Sequence, residues 1–171
     1  MSIARPEIEI GEAFVGDGFD AAHVNTVIGK REGTVGSAWA QALATPTTGH
    51  APFIAVLQPG LPVKPYTLFV NKAGISSAEH ARMTWGAAQA GVASGVADAV
   101  VEGTVEREEV DGLVIIASVW VNPEATDERA VYRNNRDATR AALAAGSQQV
   151  PKIDEVLDAR DAPENPNFRL G

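Results

Sequence analysis

The run Gly16-Asp17-Gly18-Phe19-Asp20-Ala21-Ala22-His23-Val24-Asn25-Thr26-Val27-Ile28-Gly29 holds the side chains best suited to proton chemistry. Its Gly-Asp-Gly start has the composition of a tight turn, and the residues after it alternate as a strand does. Successive strand side chains point to opposite faces. His23, Asn25 and Val27 therefore share one face, and Val24, Thr26 and Ile28 the other. An imidazole titrates near neutral pH, so a histidine beside an amide can give or take a proton. The plainer alternative is a strand histidine held by hydrogen bonds and doing no chemistry.

The other polar candidates are Lys72 and Gln89, on separate elements. Lys72 closes an apolar run, where a lysine is commonly solvated. Gln89 lies among small residues, where it can simply pack or hydrogen-bond. The three histidines, His23, His50 and His80, have no zinc-motif spacing, so no metal site is expected. Gly16-Asp17-Gly18 lacks the lysine and helix entry of a phosphate loop, and no Gly-x-Ser-x-Gly elbow occurs.

These side chains need a scaffold. Residues 7–15 read as a first strand and residues 22–28 as a second. Ser37 to Ala44, with Trp39 and Leu43 four apart, reads as a short helix. Phe53-Ile54-Ala55-Val56-Leu57 reads as one buried strand, followed by a stiff proline-rich link through Pro59, Pro62 and Pro65. Tyr66 to Asn71 reads as a fourth strand. A helix is expected from Ser76 or Ser77, since Ser76 with Glu79 fits a capping box. Ala88, Val92, Val96 and Val100 form one face of it, and Gly86, Gly91 and Gly95 suit close packing on a sheet or a neighbouring subunit. Leu113 to Val121 is the strongest strand, ended by Asn122-Pro123. A last long helix runs from near Thr126 or Asp127 to Ala145, stopped by Gly146. Asn134 and Asn135 interrupt its apolar stripe, either as a polar interface or because the stripe is narrow. The expected fold is α+β: a single domain with about five strands and three helices. Residues 1–150 form the domain, and 151–171 a charged arm or disordered tail.

Composition excludes several classes. The 171 residues suit one domain with a sizeable core, and 45% hydrophobic with 21% charged residues is ordinary for a globular protein. Without cysteine there are no disulfides and no cysteine nucleophile, which fits a cytoplasmic location. The first residues lack an apolar signal core, and no segment has the length to span a bilayer. A net charge of −8 is the wrong sign for a nucleic-acid binder.

Three stretches together resemble the formaldehyde-activating enzyme family. They are Val15-Gly16-Asp17-Gly18 through His23, Lys64-Pro65 through Lys72, and Gly86-Ala87-Ala88-Gln89-Ala90-Gly91. Weaker similarity continues at Glu124-Ala125 and Ala138-Thr139. The resemblance implies condensation of formaldehyde with tetrahydromethanopterin to methylene-tetrahydromethanopterin and water, without a metal. It implies an α+β domain with a left-handed βαβ crossover, an exception to the usual hand. It also implies a ring-shaped homopentamer with pterin bound between subunits. Carried over by motif, His23 is the general acid, and Asn25, Ile54, Lys72, Gly74 and Gln89 occupy pterin-contacting positions.

The sequence departs from the family pattern at three places. Asn25 stands where the family has aspartate, Gly74 where it has threonine, and Asn122-Pro123 where it has His-Trp. Asn25 can hydrogen-bond but cannot offset an iminium charge. Losing one charge-assisted hydrogen bond costs on the order of 1.5–3 kcal/mol, a slowing of roughly ten- to a few-hundred-fold. Two further readings follow: a diverged homologue with another amine carrier, or a non-catalytic pterin- or formaldehyde-binding protein.

Overall fold

A computed structural model describes residues 6–166 and 168–170. Strand β1 (Ile8–Val15) is followed by β2 (Ala22–Lys30) and helix α1 (Thr34–Ala44). Three short strands come next: β3 (Phe53–Ile54), β4 (Val56–Gln58) and β5 (Leu61–Pro62). After β6 (Tyr66–Asn71), helix α2 (Ala78–Arg82) passes through a π-helical segment, Met83–Ala88, into α3 (Gln89–Val101). Strand β7 (Leu113–Trp120) and helix α4 (Glu128–Gln148) complete the main body. Helix α5 (Ile153–Ala159) and a hairpin, β8 (Glu164–Asn165) with β9 (Phe168–Arg169), follow.

The main sheet has five strands in the order β1-β2-β7-β6-β3. All neighbours are antiparallel except β6 and β7, which run parallel and are joined by the α2–α3 crossover. This is the α+β domain expected, with the expected strand count in its main sheet. Alternation assigns the faces as the residue pattern requires. Val24, Thr26 and Ile28 are buried, whereas His23, Asn25 and Val27 are only partly so. Helices α3 and α4 pack against each other, and α4 lies on β1 and β2 over the buried face.

That packing brings backbones together. A Cβ at Gly11 of β1 would overlap the carbonyl oxygen of Ala142 in α4. At Gly91 and Gly95 of α3 it would strike the carbonyls of Tyr132 and Arg136. The helix glycines at 91 and 95 thus serve contact within the chain. Gly86 has open space where its Cβ would stand. On the opposite sheet face, α1 covers one end, its Val35 side chain seated 2.6 Å from where a Cβ of Gly29 would be.

Four local expectations are corrected. The run Phe53–Leu57 is not one strand, because the chain changes partners at Ala55. Ala55 N–H donates to Thr67 O at 2.8 Å, while Val63 N–H donates back to Ala55 O at 3.1 Å. Helix α2 is capped by Ser77, one of the two expected starts, but not through the expected box: Ser77 Oγ accepts from His80 N–H at 3.0 Å. Glu79 turns to Arg82 instead of closing a box on Ser76. Gly146 does not stop α4; it is buried against the Ile10 backbone, and the helix ends at Gln149 in the left-handed region with φ 53°. Finally, the segment after Pro151 is not a disordered tail: it is folded as α5 and the β8–β9 hairpin.

Gly11→Ala is expected to destabilise the protein by about 1–3 kcal/mol through forced displacement of α4. The check is a lower urea midpoint at unchanged slope. Gly86→Ala, with nothing to displace, is expected to leave the midpoint unchanged or raise it.

Candidate active site

The loop from Gly16 to Ala21 is fastened before it delivers His23. Asp20 Oδ1 accepts from Thr126 N–H at 2.9 Å and Asp127 N–H at 3.1 Å, at the start of α4. Asn134 Nδ2 donates to Asp20 O at 2.8 Å. The asparagine in the apolar stripe of α4 is thus an anchor within the chain. Gly16, at φ 86°, lies so close to Asn134 that a Cβ would meet its Nδ2 at 2.5 Å. A side chain there would face both left-handed strain and collision.

Strand register then assembles the site. His23 pairs with Phe14 of β1 and Trp120 of β7, and Asn25 with Glu12 and Ser118. Cross-strand partners share a face. Lys72 continues the ladder beyond β6, its N–H donating to Val119 O at 2.8 Å, and so follows Val70 onto that same face.

The polar contacts form a chain. Glu12 Oε1 lies 2.8 Å from His23 Nε2. Lys72 Nζ lies 3.3 Å from His23 Nδ1 and donates to Asn25 Oδ1 at 2.6 Å. With Nε2–H donated to the Glu12 carboxylate, Nδ1 is left facing the lysine. A protonated His23 has the Glu12 charge beside it. Burial pushes the Lys72 amine below the ordinary lysine range, with the negative charge of Glu12 acting in the opposite direction. Among the described residues no carboxylate lies within ion-pair distance of Lys72. Lys64, by contrast, is paired with Asp111 at 2.5 Å.

A cavity of about 390 Å³ opens beside His23 and Glu12, walled by Phe14, Trp120 and Pro166. A larger one of about 620 Å³ adjoins it, reaches the Gly16–Phe19 loop and does not touch His23. The smaller cavity carries the titratable groups and is the better candidate for chemistry, while the larger offers room for the rest of a ligand. Both are rimmed by Glu164, Asn165 and Pro166, from the hairpin after α5.

His23, Asn25 and Lys72 are therefore brought together. The contacts of Ile54, Gly74 and Gln89 are made elsewhere. Ile54 pairs with Leu68 at the sheet edge. Gln89 is nearly buried, and its Oε1 accepts from Val56 N–H at 2.6 Å, two residues beyond Ile54. Gly74 sits near His50, in a loop that Asn71 Nδ2 holds by donating to Gly49 O at 2.7 Å and Ala73 O at 2.8 Å. His80 is buried, with Nε2 at 3.0 Å from Val121 O, a structural role. Among the described residues, no group of three or more acidic or histidine side chains is placed to hold a metal ion, and no helix is long and apolar enough to cross a membrane.

Glu12 escaped the reading of the sequence. Its alternation with Phe14 was visible, but only the register of β1 against β2 puts it beside His23.

The molecule is thus an α+β domain with a histidine–lysine site on a half-open sheet face. Its sequence matches the family model described as formaldehyde-activating enzyme (Fae) over residues 10–168, and the chain belongs to that family. It is 40% identical over 157 residues to the 5,6,7,8-tetrahydromethanopterin hydro-lyase of Methanosarcina barkeri, covering 92% of this chain and 88% of that protein. It is 41% identical over 160 residues to a bifunctional enzyme Fae/Hps of Archaeoglobus fulgidus, covering 94% of this chain and 41% of the relative. A bifunctional enzyme Fae/Hps of Methanococcoides burtonii is 43% identical over 152 residues, covering 89% and 38%. The chain spans about two fifths of the length of these bifunctional relatives.

The lowered Lys72 value has a consequence for stability. The unfolded chain binds a proton at this lysine over a pH range where the folded chain does not, so stability rises with pH across that range. The range begins at the lowered folded value and ends at the ordinary lysine value. A Lys72→Met variant is expected to lack this rise, seen as a difference between the two urea-midpoint profiles in alkaline buffer.

Proposed function

We propose that the protein condenses formaldehyde with a reduced pterin of the tetrahydromethanopterin type, releasing water, with His23 as general acid. The observation that carries this reading is His23 held between Glu12 and Lys72 at the wall of a cavity. A pterin nitrogen adds to formaldehyde to give a carbinolamine. Its hydroxide leaves poorly until protonated, and an imidazole supplies that proton near neutral pH. Loss of water leaves a cationic iminium, which the second pterin amine closes. Holding the reactants together adds to the rate through orientation.

Asn25, Ile54, Lys72, Gly74 and Gln89 are proposed as pterin contacts on the strength of the family motif. Residues 1–150 are proposed as the domain proper, with 151–171 as an arm. Ile8, Ile10 and Phe14 stand exposed on the site face of β1, which supports a subunit contact there and a homo-oligomer, a pentamer by resemblance, with sites at its interfaces. Ile10→Asp is then expected to lower the mass measured by light scattering. An unchanged mass would remove β1 from the interface.

A second reading, an enzyme with a different amine carrier, is favoured by Asn25 and Gly74, which leave the site less charged and less filled than the family pattern. Methylene-pterin formation from formaldehyde and tetrahydromethanopterin separates the two. The wild-type rate is expected to exceed the uncatalysed one, and His23→Ala to lose on the order of a hundredfold or more. A wild-type rate equal to the uncatalysed one overturns the pterin reading.

A further inference from the structure

We propose that Lys72 captures formaldehyde covalently, forming a protonated imine that hands its methylene group to the acceptor amine. The inference rests on the reading above only in taking formaldehyde as a substrate. The geometry has three parts. Lys72 Nζ bonds the neutral Asn25 amide at 2.6 Å, and among the described residues no carboxylate within ion-pair distance fixes it as an ammonium. His23 Nδ1, 3.3 Å away, is placed to exchange a proton with the amine. The Glu12 carboxylate, 2.8 Å from the far ring nitrogen, offsets the imidazolium that results. The groups facing the amine are therefore Glu12 from β1, and His23 and Asn25 from β2. Burial, which lowers the Lys72 value, favours the neutral nucleophile.

The step balances without an oxidant or reductant. His23 Nδ1 first takes a proton from the Lys72 ammonium, giving a neutral amine and an imidazolium. The lone pair of Nζ then attacks the carbonyl carbon, an N–C bond forms, and the C=O π pair moves to oxygen. His23 delivers its proton to that oxygen and takes one back from the new ammonium, leaving a carbinolamine and an imidazolium. The imidazolium then protonates the hydroxyl, the C–O bond breaks, and water departs as the nitrogen lone pair forms C=N. An acceptor amine adds to the methylene carbon, and the proton on its nitrogen passes to Lys72 Nζ. The C–Nζ bond breaks as the acceptor's lone pair forms C=N, so that Lys72 leaves as the free amine and the methylene remains on the acceptor as an iminium.

The test is reductive trapping with limiting formaldehyde and cyanoborohydride, in the absence of pterin, read by peptide mass mapping. The chain has four lysines, Lys30, Lys64, Lys72 and Lys152, so the other three serve as internal standards. Methylation is expected first at Lys72. His23→Gln is expected to slow trapping at Lys72 on the order of a hundredfold while Lys30 and Lys152 hold their rates. Asn25→Asp, which places a carboxylate against the amine, is expected to slow it on the order of tenfold or more. Equal methylation of the four lysines, or a Lys72 rate indifferent to both substitutions, overturns the proposal. Because no pterin is present, this result and that of the condensation assay stand or fall separately.

Discussion

Everything in this fold depends on the close approach of α4 to β1 and α3, which glycine makes possible. Backbone meets backbone at Gly11, Gly91 and Gly95, and Gly146 returns the contact from the helix side. At those points no side chain stands between the elements. That proximity fixes α3 and α4 on one side of the sheet and the core beneath them. On the other side α1 covers one end, and the far end of β1, β2 and β7 carries polar side chains beside cavities rimmed by the C-terminal hairpin. A site on the sheet face results from where the helices are forced to be.

The same helix fixes the site in detail. Its N-terminal backbone binds Asp20, its Asn134 holds the loop before β2, and register does the rest. A one-residue slip of β2 would send His23 into the core and bring Val24 out, so burial of Val24, Thr26 and Ile28 locks the histidine outward. The apolar face of the strand thus sets the position of the catalytic candidate, which needs few contacts of its own. The loop ties and the core pattern are redundant constraints on one side chain.

Much of this was legible in the residues, and the failures share a cause. Alternation alone gave the faces of β2, and the apolar run gave β7, because both signals are local. The break at Ala55 was not local: it depends on Thr67 taking the N–H of that residue and Val63 its carbonyl, two partners from different parts of the chain. Gly146 carries the usual mark of a helix end, yet its missing side chain serves Ile10, a residue far away in sequence. Glu12 was hidden for the same reason, since its meeting with His23 is a property of strand pairing. Lys72 and Asn25 could be named from the family motif, but their hydrogen bond is a tertiary fact.

In the proposed condensation, an amide at residue 25 in place of a carboxylate would act on two steps in opposite directions. Late in the condensation, a carboxylate near an iminium would stabilise positive charge, and an amide forfeits that. Early on, a carboxylate beside Lys72 would hold it as an ammonium, which cannot attack a carbonyl. The amide leaves the lysine in contact with a neutral group and with an imidazole able to relieve it of a proton. Glu12 remains to balance charge, but from the far side of the ring. The carboxylate is thus hydrogen-bonded to the acid and lies outside ion-pair distance of the amine. That division suits the lysine chemistry proposed above, in which the identity of residue 25 would decide which amine attacks first.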